Sequence, residues 1–362
     1  MKLRLRDWLL STVFQALLDR GAVQGRPLAQ YGAQDTPRLL LVITTSFGDL
    51  VASTAALEVL RQTFPKAVIG VMGKHPFETV LKDDPRVNAL IPYWGKYRRV
   101  CRTRRMIREG RFDTALLLNM NDPDVIPLLY VSGVRCFVRM PGRTTIYRRI
   151  CANQNDLGTG IEGEHMYEAM DRIVRYFGLS LPSPQPVLRP SPAAQDQARR
   201  FLDGAGLAGK RLVAVHPGAS IPAKAWSEGR FAEFIRFFHE RRPDDEILLT
   251  GAPAETGKCE RIARRCGAPV RVVTSELDLP AFAALFSHLS LFIGGDSGAF
   301  HLAQAFQIPG VILYFQTPVF RTRPLPGAGR YRILQASGAV TRHGVDAIEP
   351  ADVVAAAMEL QS

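Results

Sequence analysis

The stretch Arg38-Leu-Leu-Leu-Val-Ile-Thr-Thr-Ser-Phe-Gly-Asp49 holds the pattern that decides the fold. Its first half is a continuous apolar run of strand length, as expected of a strand buried on both faces. Its second half is small and polar, and Val51, Ala55, Leu57 and Leu60 then follow at helical spacing up to Phe64-Pro65. A doubly buried strand that turns directly into a helix is half of a βαβ unit, and such units build parallel sheets covered by helices.

The alternation continues outward from there. Strands are expected at Ala67 to Met72, Ala89 to Pro92 and Thr114 to Leu118, with helices at Pro76 to Leu81 and Val100 to Glu109 between them. Residues 180–192, SLPSPQPVLRPSP, hold five prolines and little that could pack, which reads as a linker. The pattern then restarts. Strands are expected at Arg211 to Val215, Glu246 to Thr250, Val270 to Val273, Leu289 to Ile293 and Gly310 to Tyr314, and helices at Phe231 to Glu240, Pro280 to Leu285 and His301 to Phe306. The expectation is an α/β chain with two Rossmann-like, doubly wound domains, 38–182 and 183–362, facing a central cleft. Segment 1–37 precedes them as an amphipathic helix and linker. In such sheets ligands bind outside the carboxyl ends of the strands.

With 362 residues, 46% hydrophobic and 22% charged, the chain has the composition of a globular protein with about two domains, which excludes a disordered tail or a mini-scaffold. The five cysteines are odd in number and form no CxxC pair, so the sequence argues for a reducing compartment and against a structural metal. No run of about 18 apolar residues exists to span a bilayer. Met1 to Arg20 lacks the small-residue cleavage site of a signal peptide. It reads as an amphipathic helix with a basic flank, suited either to an anionic membrane surface or to packing on its own domain. The net charge of +12 is uneven: residues 1–182 hold 26 Lys+Arg against 17 Asp+Glu, which points to an acidic partner for the first half.

Four constellations could carry chemistry. Asp49 ends a strand-to-helix turn, where a carboxylate can accept a proton from a bound hydroxyl or simply cap the helix. Gly294-Gly-Asp-Ser-Gly298 precedes a second helix, whose free N–H groups can hold phosphate. Asp296 within that turn would repel the anion and reads as a cap, a hinge or a ligand for a sugar hydroxyl. His301 is either a neutral donor to phosphate or a packed core residue. The loop His216-Pro-Gly-Ala-Ser220 leads to Lys224, a point charge for a diphosphate or else a surface lysine, and Glu255 follows the next strand end, where it could bind ribose hydroxyls. Lys96 to Arg111 carries eight basic residues against Glu109 alone, among them Arg98, Arg99, Arg102, Arg104 and Arg105. With no nucleic-acid motif and few interleaved aromatics, this run favours an acidic acceptor or membrane headgroups over nucleic acid, a solvated face being the plainer reading.

At these residues the sequence is similar to glycosyltransferase family 9, the heptosyltransferases that add sugars to the lipopolysaccharide core. The resemblance runs from about Leu39 to the C-terminus. It rests on Thr45-Ser-Phe-Gly-Asp-Leu-Val51, on His216-Pro-Gly-Ala-Ser220 with Lys224-Ala-Trp226, and on Gly295-Asp-Ser-Gly298 with His301-Leu-Ala303. It implies a GT-B fold with an acceptor site in the first domain and a nucleotide-sugar site, usually for ADP-heptose, in the second. It also implies Asp49 as catalytic base, Lys224 on the diphosphate, Glu255 on the ribose, and Ser297 and Gly298 at the phosphate. Ser297 stands where the family commonly has Thr, and Phe315-Gln-Thr317 replaces the usual Gly-Pro-Thr. The expected function is an inverting, metal-independent glycosyltransferase without cofactor. It would act in the cytoplasm or peripherally on the inner face of the cytoplasmic membrane, on a nucleotide-sugar donor and an acidic glycolipid or glycan acceptor. A nucleotide-sugar epimerase of the same fold and a non-catalytic sugar-nucleotide binding protein are the alternatives.

Overall fold

Every residue from Leu39 to Ile43 is at most 2% exposed, so the opening strand is buried on both faces. The computed structural model describes residues 12, 35–140, 147, 150–153, 163–176, 178–181, 185–219, 225–315, 318–325, 329–336 and 347–361. Of the helix expected near the N-terminus, only Thr12 is among the described residues. The chain divides into two compact units, Met1–Pro184 and Gln185–Ser362.

In chain order the first unit comprises β1 (Arg38–Ile43), α1 (Phe47–Thr63), β2 (Val68–Lys74), β3 (Ala89–Tyr93), α2 (Val100–Gly110), β4 (Thr114–Asn119), α3 (Val125–Val131), β5 (Cys136–Arg139) and α4 (Met166–Arg175). Its strands are all parallel, in the order β3-β2-β1-β4-β5. The chain therefore reverses direction across the sheet between β1 and β4. The helix expected over Pro76 to Leu81 is a single 3₁₀ turn, Phe77–Leu81.

The second unit opens with α5 (Pro192–Gly204). Ser191 caps this helix and Pro192 is its first residue, so the end of the proline-rich stretch is a helix start, because proline's fixed φ suits that position. Then follow β6 (Leu212–His216), α6 (Glu228–Arg241), β7 (Glu246–Thr250), α7 (Thr256–Cys266), β8 (Arg271–Val273), α8 (Leu279–Leu285), β9 (Leu289–Gly295), α9 (Gly298–Ala305), β10 (Gly310–Tyr314), α10 (Val319–Thr322), β11 (Tyr331–Gln335) and α11 (Pro350–Gln361). The parallel order β11-β10-β9-β6-β7-β8 repeats the first sheet with one strand more, and its switch point lies between β6 and β9. Trp226 is a core anchor, 1% exposed, with Nε1 donating to the Ile348 carbonyl at 3.1 Å. All five cysteines are free thiols, and four of them are buried.

Candidate functional site

At the carboxyl end of β1, Ser46 and not Asp49 is the N-cap of α1. The Ser46 hydroxyl accepts the Asp49 N–H at 3.1 Å, and Asp49 Oδ2 accepts the Ser46 N–H at 3.2 Å. This reciprocal capping box satisfies two otherwise unpaired groups. Oδ2 also accepts from the hydroxyls of Thr45 at 2.6 Å and Ser46 at 2.7 Å, so all three donors fall on one carboxylate oxygen. Among the described residues nothing donates to Oδ1. The carboxylate is thus held rigidly, half-buried, with one oxygen available.

Beside this corner, at the switch point, β4 bulges against β1 so that Asn119 faces Ile43. Bulges next to ligand sites re-aim side chains. Here Asn119 Nδ2 and Thr44 Oγ1 are both buried and have no hydrogen-bond partner among the described residues. Periodicity could not reveal either residue, since both read as strand ends.

The structure divides the arginine run. Arg99 and Arg102 lie over the Trp94 ring, each guanidinium carbon 5.0 Å from its centroid, and Arg98 is exposed beside them. Arg104 turns to the Val131 carbonyl at the end of α3, and Arg105 pairs with Glu109 at 2.8 Å. Arg99 and Arg102 are therefore brought together, whereas Arg104 and Arg105 turn elsewhere. The 95–99 loop that presents them has Gly95, Tyr97 and Arg99 at positive φ, a conformation that costs of order 1 kcal/mol or more for a non-glycine residue. Its anchor is a buried cluster: Asp124 accepts the Tyr97 N–H at 2.8 Å, and the Tyr93 hydroxyl lies 2.9 Å from both Asp122 and Asp124. Burial and the two carboxylates push the Tyr93 phenol well up, so it stays a proton donor.

In the second unit the glycines expected to form a turn are partly strand, because β9 runs through Gly295. A Cβ on Gly294 would meet the Phe292 ring at 2.8 Å and the His216 carbonyl at 3.1 Å, so this glycine permits close strand approach. The turn proper is Asp296-Ser297. Ser297 is the N-cap of α9, but its side chain makes no capping bond, and Oγ is buried without a partner among the described residues. The first N–H groups of α9 have no acceptor from the helix itself. An uncapped helix start beside a free hydroxyl has the donors and the dipole to receive an anion. Asp296 lies close enough to the buried Tyr314 to help push its phenol up. His301 is 5% exposed, with Nδ1 3.1 Å from Gln304 Oε1, on the core side of α9.

Glu255 meets the same edge from the end of β7. Its carboxylate packs so closely on Gly218 that a Cβ there would lie 2.8 Å from both oxygens and 2.6 Å from His216 Nε2. Oε2 also accepts the Ala252 N–H at 2.9 Å. Burial pushes His216 down to about 4, Lys258 adding to the effect against Glu255, so the imidazole is neutral near pH 7. Lys258, which sequence reasoning passed over, donates to the Pro217 carbonyl at 2.6 Å, and burial lowers it. Its signal was available: it sits in the first turn of the helix after Glu255. Ser220 and Lys224 lie outside the described residues. Among those described, no group of three or more His, Cys, Asp or Glu side chains could hold a metal ion. Nor is any described helix long and apolar enough to cross a membrane.

The family model described as glycosyltransferase family 9 (heptosyltransferase) matches residues 161–341, half of the chain. The lipopolysaccharide heptosyltransferase 3 of Escherichia coli is 26% identical over 336 residues, covering 86% of this chain and 96% of that one. Among solved structures, a family 9 glycosyl transferase from Veillonella parvula superposes with a TM-score of 0.76 at 19% identity, over 93% of this chain and 98% of that one. The E. coli ADP-heptose lps heptosyltransferase II gives 0.66 at 21% identity, over 89% and 98%. The fold is that of these GT-B enzymes.

Proposed function

The chain belongs to glycosyltransferase family 9, the heptosyltransferase family, and from that premise we propose that it moves heptose from ADP-heptose to a lipopolysaccharide core or related acidic glycan with inversion at the anomeric carbon. Domain 38–182 takes the acceptor and domain 183–362 the donor. Asp49 Oδ1 receives the proton of the acceptor hydroxyl as its oxygen forms the new bond to the anomeric carbon. The bond from that carbon to the diphosphate breaks, and ADP departs with the electron pair. The charge developing on the leaving group falls on the open start of α9, with the hydroxyl of Ser297 and the cation of Lys224. Glu255 holds the ribose hydroxyls, and Arg98, Arg99 and Arg102 hold the acceptor's anionic groups bidentately.

The observation that carries this reading is the uncapped helix start with its buried, unpartnered Ser297 hydroxyl. The donor's identity draws support from the solved relative named for ADP-heptose, and the acceptor's from the curated relative named for lipopolysaccharide. The basic surplus of residues 1–182 supports action at the inner face of the cytoplasmic membrane.

Purified chain incubated with ADP-heptose and deacylated core oligosaccharide should release ADP only when acceptor is present, yield the inverted anomer, and keep its rate in excess EDTA. Isomerised sugar without acceptor would instead identify an epimerase, and ADP binding without turnover a non-catalytic protein. Loss of activity in EDTA, restored by a divalent cation, would overturn the metal-independent mechanism.

A further inference from the structure

At the carboxyl end of β2 stands a carboxylate–imidazole pair that the mechanism above does not use. Glu78 is 3% exposed; its Oε1 lies 2.9 Å from His75 Nδ1, and its Oε2 is buried without a partner among the described residues. The His75 side chain, by contrast, is 43% exposed. Burying a carboxylate this deeply is expensive unless a cation or a proton compensates it. The fold makes room for it: a Cβ on Gly73 would lie 2.8 Å from the Glu78 Cβ, so a glycine stands there.

The hydrogen bond to Glu78 puts the ring proton on Nδ1 and fixes the imidazole's orientation. The ring centroid of His75 lies 5.8 Å from that of Trp94, the indole that also carries Arg99 and Arg102. Lys74 stands over Phe77, and Phe77 contacts Phe47, the first residue of the helix that holds Asp49. Glu78 thus holds Nδ1, and Trp94, which carries the cations Arg99 and Arg102, lies beside the ring. A doubly protonated imidazole gives Nδ1–H to Glu78 and leaves Nε2–H for an anion.

We propose that His75, oriented by Glu78 and standing beside the Trp94–Arg99–Arg102 cluster, is a specificity-determining contact for an anionic group, phosphate or carboxylate, on the acceptor glycan. The inference rests on the acceptor assignment made above. Glu78 acts through His75 and is a positioning residue.

The test is calorimetric binding of deacylated core oligosaccharide, phosphorylated or phosphatase-treated, alongside ADP binding and acceptor KM. His75→Gln should weaken oligosaccharide binding about tenfold, the scale of one charge-assisted hydrogen bond, while kcat and ADP affinity hold. His75→Lys should recover most of the affinity. Glu78→Ala, which releases the imidazole, should weaken binding as His75→Gln does, and Glu78→Gln, which keeps an acceptor for Nδ1–H, should restore most of it. If the His75→Gln deficit vanishes with phosphatase-treated acceptor, the anion is a phosphate; if it persists, it is a carboxylate. Unchanged affinity in His75→Gln would overturn the inference. A wild-type chain that binds oligosaccharide yet transfers no sugar would overturn the transfer reading instead, leaving His75 to be judged on binding alone.

Discussion

Two helices begin beside the switch points of their own sheets, both behind a serine N-cap in extended conformation, and they end in opposite chemistry. At Ser46 the residue three places on is Asp49, which returns a hydrogen bond and closes the helix start. At Ser297 the residue three places on is Phe300, fully buried, which can return nothing, and the serine hydroxyl is left unpartnered. One corner presents a fixed carboxylate; the other presents free N–H groups and a free hydroxyl. The residue at the third helical position thus decides whether the helix start is closed by a carboxylate or left uncapped.

The comparison breaks first at Asp49. Asp49→Asn keeps an oxygen for the Ser46 N–H, so folding and ADP affinity should be nearly unchanged while turnover falls by about 100-fold or more, the scale of a lost general base. Steady-state kinetics with thermal melting reads both, and turnover near wild type would remove Asp49 as the base. Ser297→Ala should be the mirror image. It deletes a buried hydroxyl that no group satisfies, so stability should hold or rise. ADP affinity should drop about tenfold, as expected for one hydrogen bond to a charged group. A destabilised variant with unaltered ADP binding would assign Ser297 to structure alone.

A third difference is visible in acid. His216, at the second switch point, is held at about 4 against an ordinary 6.5. Between those values the unfolded chain binds a proton that the folded chain refuses, so stability present above pH 6.5 is lost as the pH falls toward 4. The loss should be about 1 kcal/mol between pH 6.5 and pH 5.5. Hydrogen exchange should show β6 amides losing protection over that interval, and His216→Gln should flatten the dependence. If β6 keeps its protection in acid while the wild-type imidazole titrates normally by NMR, His216 is not a buried neutral ring.

Most of the fold was legible because it depends on long apolar runs: β1, β7, β9 and β10 lie within a residue or two of their expected bounds. Elements that sequence reasoning passed over lack that signal. Strand β5 is four residues long, α7 is a strongly basic helix, and β11 is an edge strand with Ile333 exposed. At the candidate site, Asp49, Glu255 and Ser297 could be named because each follows a strand end. The tertiary partners could not. Trp94 gathers Arg99 and Arg102 while Arg104 and Arg105 point elsewhere on the same helix, and Lys258 reaches Pro217 across 41 residues of sequence. Neither sorting has a periodicity to read.

The smallest expected effect is the one that separates capping from catalysis. Ser46→Ala removes the acceptor for the Asp49 N–H and one of three donors to Oδ2, but leaves Thr45 and the backbone N–H of residue 46 on that oxygen. The carboxylate should therefore stay in place, and turnover should fall only a few-fold. Stability should fall by about 0.5–1 kcal/mol, the ordinary loss for a serine N-cap, with ADP affinity unchanged because the donor corner belongs to the other unit. If Ser46→Ala instead abolished turnover without loss of stability, the serine hydroxyl would be handling the substrate proton itself, and the first corner would resemble the second in using its serine on the ligand.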